Sequence, residues 1–197
     1  MRRQIAIMLG AGALTAALAG GCGQTDDTLN YGTFTDCAKV GRPVATTDPK
    51  GDQRRTDRTA ADAAPMGDLT RLRVARGDGK LCAEFTTDAQ IRPYAAFVLT
   101  MRPQDADTPV LQLEAVVLAG EAPKANLDVS GTGRSFRRVP ATVGIKGDRL
   151  SIMVTKEPFA KAGPEAAAIF RSFRFQARSA VATKGEGRVT DCLPACQ

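Results

Sequence analysis

Aspartates at three places in the chain could supply the oxygen ligands that a calcium ion requires. Asp48 and Asp52 bracket the segment Asp-Pro-Lys-Gly-Asp, and Asp68 precedes the first run of alternating apolar residues. Calcium takes about six to eight oxygen ligands, and the proline and glycine of this segment suit the sharp turn of a calcium loop. These residues form a candidate metal site. The alternative, which we favour, is a solvated polar turn whose carboxylates face the neighbouring arginines.

The chain contains no histidine, and this excludes several kinds of active site. Ser-His-Asp and Cys-His nucleophile systems need an imidazole base, and most catalytic zinc sites need imidazole ligands. Glycoside hydrolysis would need two acids at a defined separation in a cleft, whereas Glu84 and Glu114 are expected on exposed strand faces. Ser151 and Lys156 could form a serine–lysine pair, but no motif surrounds them. We therefore expect that the protein is not an enzyme.

The first 22 residues have the pattern of an export signal. Two arginines form a cationic start, an uncharged apolar stretch covers residues 5–19, and small residues precede Cys22. The alternative is a transmembrane anchor. As a helix, a stretch of this length rises about 22 Å, which is too short for the roughly 30 Å hydrocarbon core of a membrane. The cysteine placed directly after the small residues resembles the lipobox of bacterial lipoproteins. The resemblance implies that residues 1–21 are a signal peptide and that Cys22 becomes the diacylated N-terminus.

This resemblance predicts a location at the cell membrane, with the chain lipid-anchored on the extracytoplasmic face. Two or more acyl chains anchor a protein stably where one does not. Without residues 1–21 the chain keeps 25 basic and 21 acidic residues, a net charge of +4. Because this charge is small and well mixed, no nucleic-acid partner is indicated. The alternative is an ordinary secretory signal, which would leave Cys22 as an unexplained free thiol.

Four further cysteines indicate two disulfides, since an even number is typical of an exported chain. Metal binding is the alternative, but the C-x3-C spacing of the last two lacks a matching second pair. Three pairings are possible, and sequence alone does not choose among them. The pairing we favour is Cys37–Cys82 with Cys192–Cys196.

The strand pattern around Cys82 is the reason for this choice. Apolar residues alternate over residues 81–85, which places Cys82 beside Glu84 on the outer face of a strand. A segment that crosses outside the core, such as the one around Cys37, could reach it there. The bridge would close a loop of about 45 residues and stabilise the fold by roughly 4 kcal/mol.

Composition and residue pattern divide the chain into three parts. After the signal peptide at 1–21, residues 22–67 are small, polar and proline-rich, and we expect the lipidated cysteine, a disordered tether and a Pro/Asp/Arg-rich arm. Residues 68–197 change to short runs with period-two alternation, separated by Gly, Pro and Asp. About eight strands and almost no helix predict an all-β fold, an antiparallel β-sandwich. A helical turn is expected at 164–169, and a hairpin at 146–148.

The overall layout resembles family 9 carbohydrate-binding modules and related DOMON-like sandwiches. The resemblance rests on the Asp-x-x-Gly-Asp loop at 48–52, the strand start at Asp68 and Leu69, and a terminal aromatic strand that ends near Asp191. It implies a β-sandwich that often carries a structural calcium and binds a ligand rather than catalysing a reaction. Saccharide binding does not carry over, because the chain has no Trp and two Tyr to form aromatic platforms.

We therefore expect a membrane-anchored protein whose β-sandwich binds an envelope protein, an envelope polymer or a small ligand without catalysis. No cofactor is expected unless calcium binds. A first alternative is a carrier that holds a lipid or another apolar molecule between its sheets. A second is a histidine-independent hydrolase of the cell envelope. The basic residues at 134–149 could meet anionic lipids or polymers, but we favour a solubilising outer face.

Overall fold

The structure, a computed structural model, describes residues 32–48, 54–55, 68–104, 110–130, 134–136, 139–168, 173–182 and 188–194. Twelve strands, two short α-helices and one 3-10 turn lie within these ranges. The 3-10 turn is Cys37–Lys39, and the helices are α1 (Glu157–Ala162) and α2 (Pro164–Ala168). No helix in the described ranges is long and apolar enough to cross a membrane.

The strands form two antiparallel sheets, which we call sheet A and sheet B. Sheet A has the order β1-β3-β4-β10-β9, and sheet B the order β2-β12-β11-β5-β6-β7-β8. The strands of sheet A are β1 (Val44–Thr47), β3 (Leu69–Gly77), β4 (Lys80–Thr87), β9 (Ala141–Lys146) and β10 (Arg149–Thr155). The strands of sheet B are β2 (Arg54–Arg55), β5 (Ala95–Pro103), β6 (Val110–Val117), β7 (Lys124–Ser130), β8 (Arg134–Phe136), β11 (Phe173–Ala182) and β12 (Arg188–Leu193).

The core lies between the inner faces of the two sheets, where every second residue of the central strands is buried. In β5, for example, Phe97 and Leu99 are fully buried, while Val98 between them is half-buried on the other face. The Phe97 ring meets that of Phe85 from sheet A with 5.6 Å between ring centroids. Such a tilted aromatic pair contributes about 0.5–1.5 kcal/mol beyond its buried area. The period-two alternation therefore becomes a sandwich, and the predicted all-β fold class is confirmed.

Two tight hairpins fix the register of sheet A. Gly77 pairs with Lys80 across Asp78-Gly79, and both turn residues have positive φ, as a type I′ turn requires. Lys146 pairs with Arg149 across a second two-residue turn, at the place where the sequence predicts a hairpin. These turns set which residues of each strand point away from the core, and so they determine the composition of the outer face of sheet A.

The structure has more strands than the eight or so that the sequence predicts. The additional strands include β1 and β2, which come from the predicted arm at 22–67, and β12 near the end of the chain. β1 lies at the edge of sheet A and is largely exposed, so it carries no apolar alternation that could reveal it. β2 has two residues, too few for any periodicity. The arm thus contributes an edge strand to each sheet.

Candidate functional site

The segment 32–41, which we call the strap, crosses the outer face of sheet A. It begins over β9, where Gly32 forms an isolated antiparallel bridge with Gly144. It then passes over β10, where the Thr35 N–H donates a hydrogen bond of 2.8 Å to the Ser151 hydroxyl. Ser151 is fully buried although it points away from the core. The strap therefore shields the outer face from water where it crosses β9 and β10.

A disulfide fixes the middle of the strap to β4. Cys37 and Cys82 are bonded, with 5.4 Å between their Cα atoms, so this predicted pairing is confirmed. The two cysteines and Ala75 of β3 form a second, separate cluster of buried residues, against which Val40 packs. The outer face of sheet A thus has a small core of its own, because the strap supplies its other side.

Glycines let the strap approach the sheet closely at both of its ends. A Cβ atom at Gly144 would lie 2.2 Å from the backbone of Thr33 and Phe34, and one at Gly77 would lie 2.0 Å from the Val40 carbonyl oxygen. Real Cβ atoms do not come this close to backbone atoms, so a side chain at either position would lift the strap. Close backbone packing, rather than flexibility, accounts for these two glycines.

A buried carboxylate lies beneath the strap. Glu84 is 2% exposed, and its Oε1 is 3.5 Å from an Nη1 of Arg73 and 3.8 Å from that of Arg149. Its other carboxylate oxygen is buried without a hydrogen-bond partner. The Arg149 guanidinium also stacks over the ring of Phe34 in the strap, 4.9 Å from the ring centroid. The charge of Glu84 is therefore balanced by two arginines, one of which links it to the strap.

The sequence-based expectation that Glu84 lies on an exposed strand face is wrong. The strand alternation does place it on the outer face of β4, opposite Arg73 and Ser151. The strap then covers that face, and periodicity within a strand contains no information about a segment that packs on it from elsewhere. Glu114, for which the sequence also predicts an exposed position, is half-buried on the outer face of sheet B.

The outer face of sheet B is much more accessible than that of sheet A. On four neighbouring strands of this sheet, β11, β5, β6 and β7, none of the described outward-facing positions is buried. Val98 and Val116 are half-buried apolar residues at its centre, and charged residues flank them. An extended sheet face with a small apolar centre and a polar rim is the kind of surface that binds another protein.

The predicted calcium ligands lie partly within the structure. Asp48 and Asp68 come to the same end of sheet A, because the Asp48 N–H donates to the carbonyl of Thr70, two residues after Asp68. Asp68 is 1% exposed, and Asp52 lies outside the described residues. Among the residues that the structure describes, no three His, Cys, Asp or Glu side chains are grouped so that they could hold a metal. Calcium binding stays a prediction.

A residue of sheet B provides a structural contact at this end that the sequence does not reveal. The carboxylate of Asp191 in β12 accepts hydrogen bonds from the backbone N–H groups of Leu69, at 2.6 Å, and Cys192, at 2.8 Å. Because Leu69 begins β3, Asp191 ties sheet B to sheet A. A separation of 122 residues between donor and acceptor leaves no local signal from which this bond could be predicted.

Three predicted site residues are not placed by the structure. Cys22, Asp52 and Cys196 lie outside the described ranges. Cys192 is disulfide-bonded, while its pairing with Cys196 stays a prediction. Of the basic residues at 134–149, Lys146 and Arg149 flank the turn between β9 and β10. Arg149 points at the strap, so it is not available to a partner as a free surface charge.

A cleft of about 460 Å³ lies beside the turn between β3 and β4. Two cationic side chains line it, Arg76 and Lys156, together with the carboxylate of Asp78. The Arg76 guanidinium stacks on the ring of Phe173, 5.0 Å from its centroid. The volume suits a small molecule, and these charges would favour a polar or anionic one. Its two cationic residues are 80 positions apart in the chain, and the sequence does not indicate that they meet.

An exposed ion pair on helix α1 shows how charges behave away from the strap. The ammonium group of Lys161 is 2.7 Å from the carboxylate of Glu157, and both side chains are about two-thirds exposed. The hydrogen bond from Lys161 and its positive charge lower the pKa of Glu157 below its ordinary value of 4.5. This pair offers an exposed standard against which the buried Glu84 can be compared.

Comparisons with protein-family models, with curated proteins and with solved structures found no match to this chain.

Proposed function

We propose that this chain is a lipoprotein, held on the extracytoplasmic face of a cell membrane by a lipidated Cys22, whose β-sandwich binds a partner without catalysing a reaction. The Cys37–Cys82 disulfide supports export, because disulfides persist in oxidising compartments and are rare in the cytosol. The strap begins ten residues after Cys22, and ten extended residues span at most about 35 Å. The sandwich would therefore work close to the bilayer.

The observation that carries the binding role is the difference between the two outer faces. The strap occupies the outer face of sheet A, where Ser151 and Glu84 are buried. The outer face of sheet B stays accessible, with Val98 and Val116 at its centre. We therefore assign partner binding to sheet B. A lipid anchor would raise the effective concentration of the domain near a membrane-bound partner, which strengthens binding without any new contact.

Lipidation is tested by expressing the full chain in bacteria supplied with an alkyne-tagged fatty acid. We expect the tag on the wild-type chain and recovery of the protein in the membrane fraction. Cys22→Ser should lose both. A variant that keeps the tag, or a wild-type chain that never acquires it, would contradict the proposed anchor.

The binding role is tested by photo-cross-linking from a single unnatural residue in cells. A photoreactive residue at Gln112, exposed on sheet B, should give a reproducible cross-linked band. The matched control is Lys39, which is exposed on the strap and should give none. Equal labelling from both positions, or none from Gln112 at high expression, would contradict the assignment of binding to sheet B.

A further inference from the structure

We propose that the partner of the outer face of sheet B is a second copy of this chain, packed face to face about a twofold axis along β5. This inference rests on the proposed binding role of that face and names its occupant. It follows from three features of the face, which are the position of β5, the arrangement of charge on its two sides, and its area.

The first feature is the position of β5 at the centre of the sheet. Among the described residues, sheet B has the strand order β2-β12-β11-β5-β6-β7-β8, and β5 is the fourth of these seven. Ala96, Val98 and Thr100 point outward along it, and none of them carries a charge. When two copies pack about an axis along this strand, each of these residues meets its own counterpart. Small uncharged side chains are suited to such contacts, because like charges on the axis would repel each other.

The second feature is the opposite charge on the two neighbours of β5. Arg178 of β11 lies directly across from Val98, and Val98 lies directly across from Glu114 of β6. The three residues form one row that is perpendicular to the strands. Arg178 is exposed and Glu114 is half-buried, and a hydrogen bond from Asn126 at 3.5 Å holds the Glu114 carboxylate. Along this row, the face is therefore positive on one side of β5 and negative on the other.

A twofold axis along β5 converts this arrangement into complementarity. The rotation exchanges the two sides of the face, so Arg178 of each copy lies opposite Glu114 of the other. Both ion pairs form at once, as an isologous interface requires. Ala180 of β11 and Val116 of β6 occupy the adjacent row and become apolar partners in the same way. A different protein would have to match this charge pattern independently, whereas a second copy matches it by symmetry.

The third feature is the area of the face, which fits a weak dimer that a membrane would reinforce. Three rows of residues over the four accessible strands β11, β5, β6 and β7, with strands about 4.8 Å apart and rows about 6.8 Å apart, cover roughly 400 Å² on each copy. The total of about 800 Å² lies below the usual size of stable interfaces and is typical of a weak, transient one. Arg102 of β5, exposed at one end of the strand, sets this limit because it would meet its own counterpart. Confinement of both copies to one membrane would compensate for the small area.

The experiment uses the full lipidated chain in membranes, with Val98→Cys as the attachment point for a short homobifunctional maleimide. Face-to-face sheets lie about 10 Å apart, so the two introduced thiols on the axis would be close enough for the reagent to join them. We expect cross-linked dimers from this variant. Arg92→Cys, at an exposed position in the loop before β5, is the matched control and should give few.

Charge reversal then tests the predicted pairing. Arg178→Glu or Glu114→Arg alone, each in the Val98→Cys background, should lower dimer yield at least about tenfold, because like charges would face each other twice. Co-expression of the two single variants should restore the yield. In a mixed dimer, one copy is acidic at both positions and the other is basic at both, so each contact joins opposite charges. Combining both changes in one chain should restore it too. Arg92→Glu, outside the face, should leave it unchanged.

Rescue by mixing distinguishes pairing from misfolding, because a variant that fails to fold cannot be rescued by another. Failure of both rescues would overturn the inference, and so would the absence of dimers from Val98→Cys at full membrane density. If Gln112 cross-links only to a different protein, the binding role of sheet B stands and the second copy is rejected as its partner. If Gln112 cross-links to nothing, the binding role itself fails.

Discussion

The two outer faces of this sandwich start from the same strand alternation and end in opposite environments. On sheet A, Glu84 points away from the core and is 2% exposed. On sheet B, Glu114 occupies the equivalent kind of position in the middle of a strand and is half-buried. The difference comes from the strap, which lies in front of β4 and has no described counterpart in front of β6. Burial is therefore decided by what packs on a strand as well as by its own sequence.

The comparison also separates two uses of a polar outer face. Beneath the strap, polar groups find their partners within the chain. Thr35 bonds to Ser151, and two arginines balance the charge of Glu84 through one of its two carboxylate oxygens. Such buried groups are costly if a partner is lost. On sheet B, charged groups are accessible to water, so they avoid the free-energy cost of burying a charge. A face of the first kind stabilises the fold, and a face of the second kind is available to a partner.

Removal of the Cys37–Cys82 disulfide should have the largest effect on this contrast. Replacing both cysteines with alanine should lower the free energy of unfolding by about 4 kcal/mol, because the bridge restricts a loop of 45 residues in the unfolded chain. Urea denaturation of the oxidised wild type and the double variant measures the change. A loss below about 1 kcal/mol would mean that the strap contributes little to stability.

Neutralising the two glutamates compares the faces directly. Glu84→Gln should destabilise the protein by about 2 kcal/mol, because Arg73 and Arg149 lose the charge that balances them beneath the strap. Glu114→Gln should change stability by less than about 0.5 kcal/mol, as is usual for accessible charges. Urea denaturation at low protein concentration measures both. Equal effects would contradict the proposed difference in environment.

The Phe34 ring of the strap contacts the group formed by Glu84 and its two arginines. Its removal should have a smaller effect than the loss of the Glu84 charge. Phe34→Ala should cost about 1 kcal/mol, because it removes both the apolar cover and the ring over which Arg149 stacks. Phe34→Leu, which keeps apolar volume and loses the ring, should recover part of the loss. Thermal melts of the three proteins provide the measurement. If Phe34→Ala melts like the wild type, the strap does not seal the network at this point.

The exposed Glu157–Lys161 pair should show the smallest effect and supplies the baseline. The pKa of Glu157 is lowered in the folded state by Lys161, so its contribution to stability is present above the unfolded-state pKa. That contribution is lost as the pH falls through the folded-state pKa. In an NMR titration the carboxyl group should titrate below 4.5. Lys161→Gln should bring it back to its ordinary value, and an unchanged midpoint would contradict the pairing.

Much of the fold could be predicted from the sequence, because it depends on local alternation. The runs around Phe97 and Leu150 predict their strands, and the Gly-Asp turn between β9 and β10 predicts their hairpin. The same alternation turns Cys82 outward and favours the confirmed Cys37–Cys82 disulfide among the three possible pairings. Strand β1 could not be predicted in this way, because an exposed edge strand has no apolar period.

The features of the candidate site were less predictable, since they depend on contacts between distant segments. The burial of Glu84 requires the strap, which begins 52 positions earlier in the chain. The bond from Leu69 to Asp191 spans 122 positions. The close approach at Gly144 could have been suspected from a glycine in the middle of a strand pattern. Its partner in the strap could not.

The most direct test of the difference between the faces is the thiol reactivity of one introduced cysteine on each. Ser151→Cys lies beneath the strap and Gln112→Cys lies on sheet B, and each is treated with a maleimide at low protein concentration under oxidising conditions. We predict that Ser151→Cys reacts about a hundredfold more slowly, because labelling must wait for the strap to open. It should react faster once Cys37 and Cys82 are both alanine. Equal rates for the two cysteines in the oxidised protein would contradict the account.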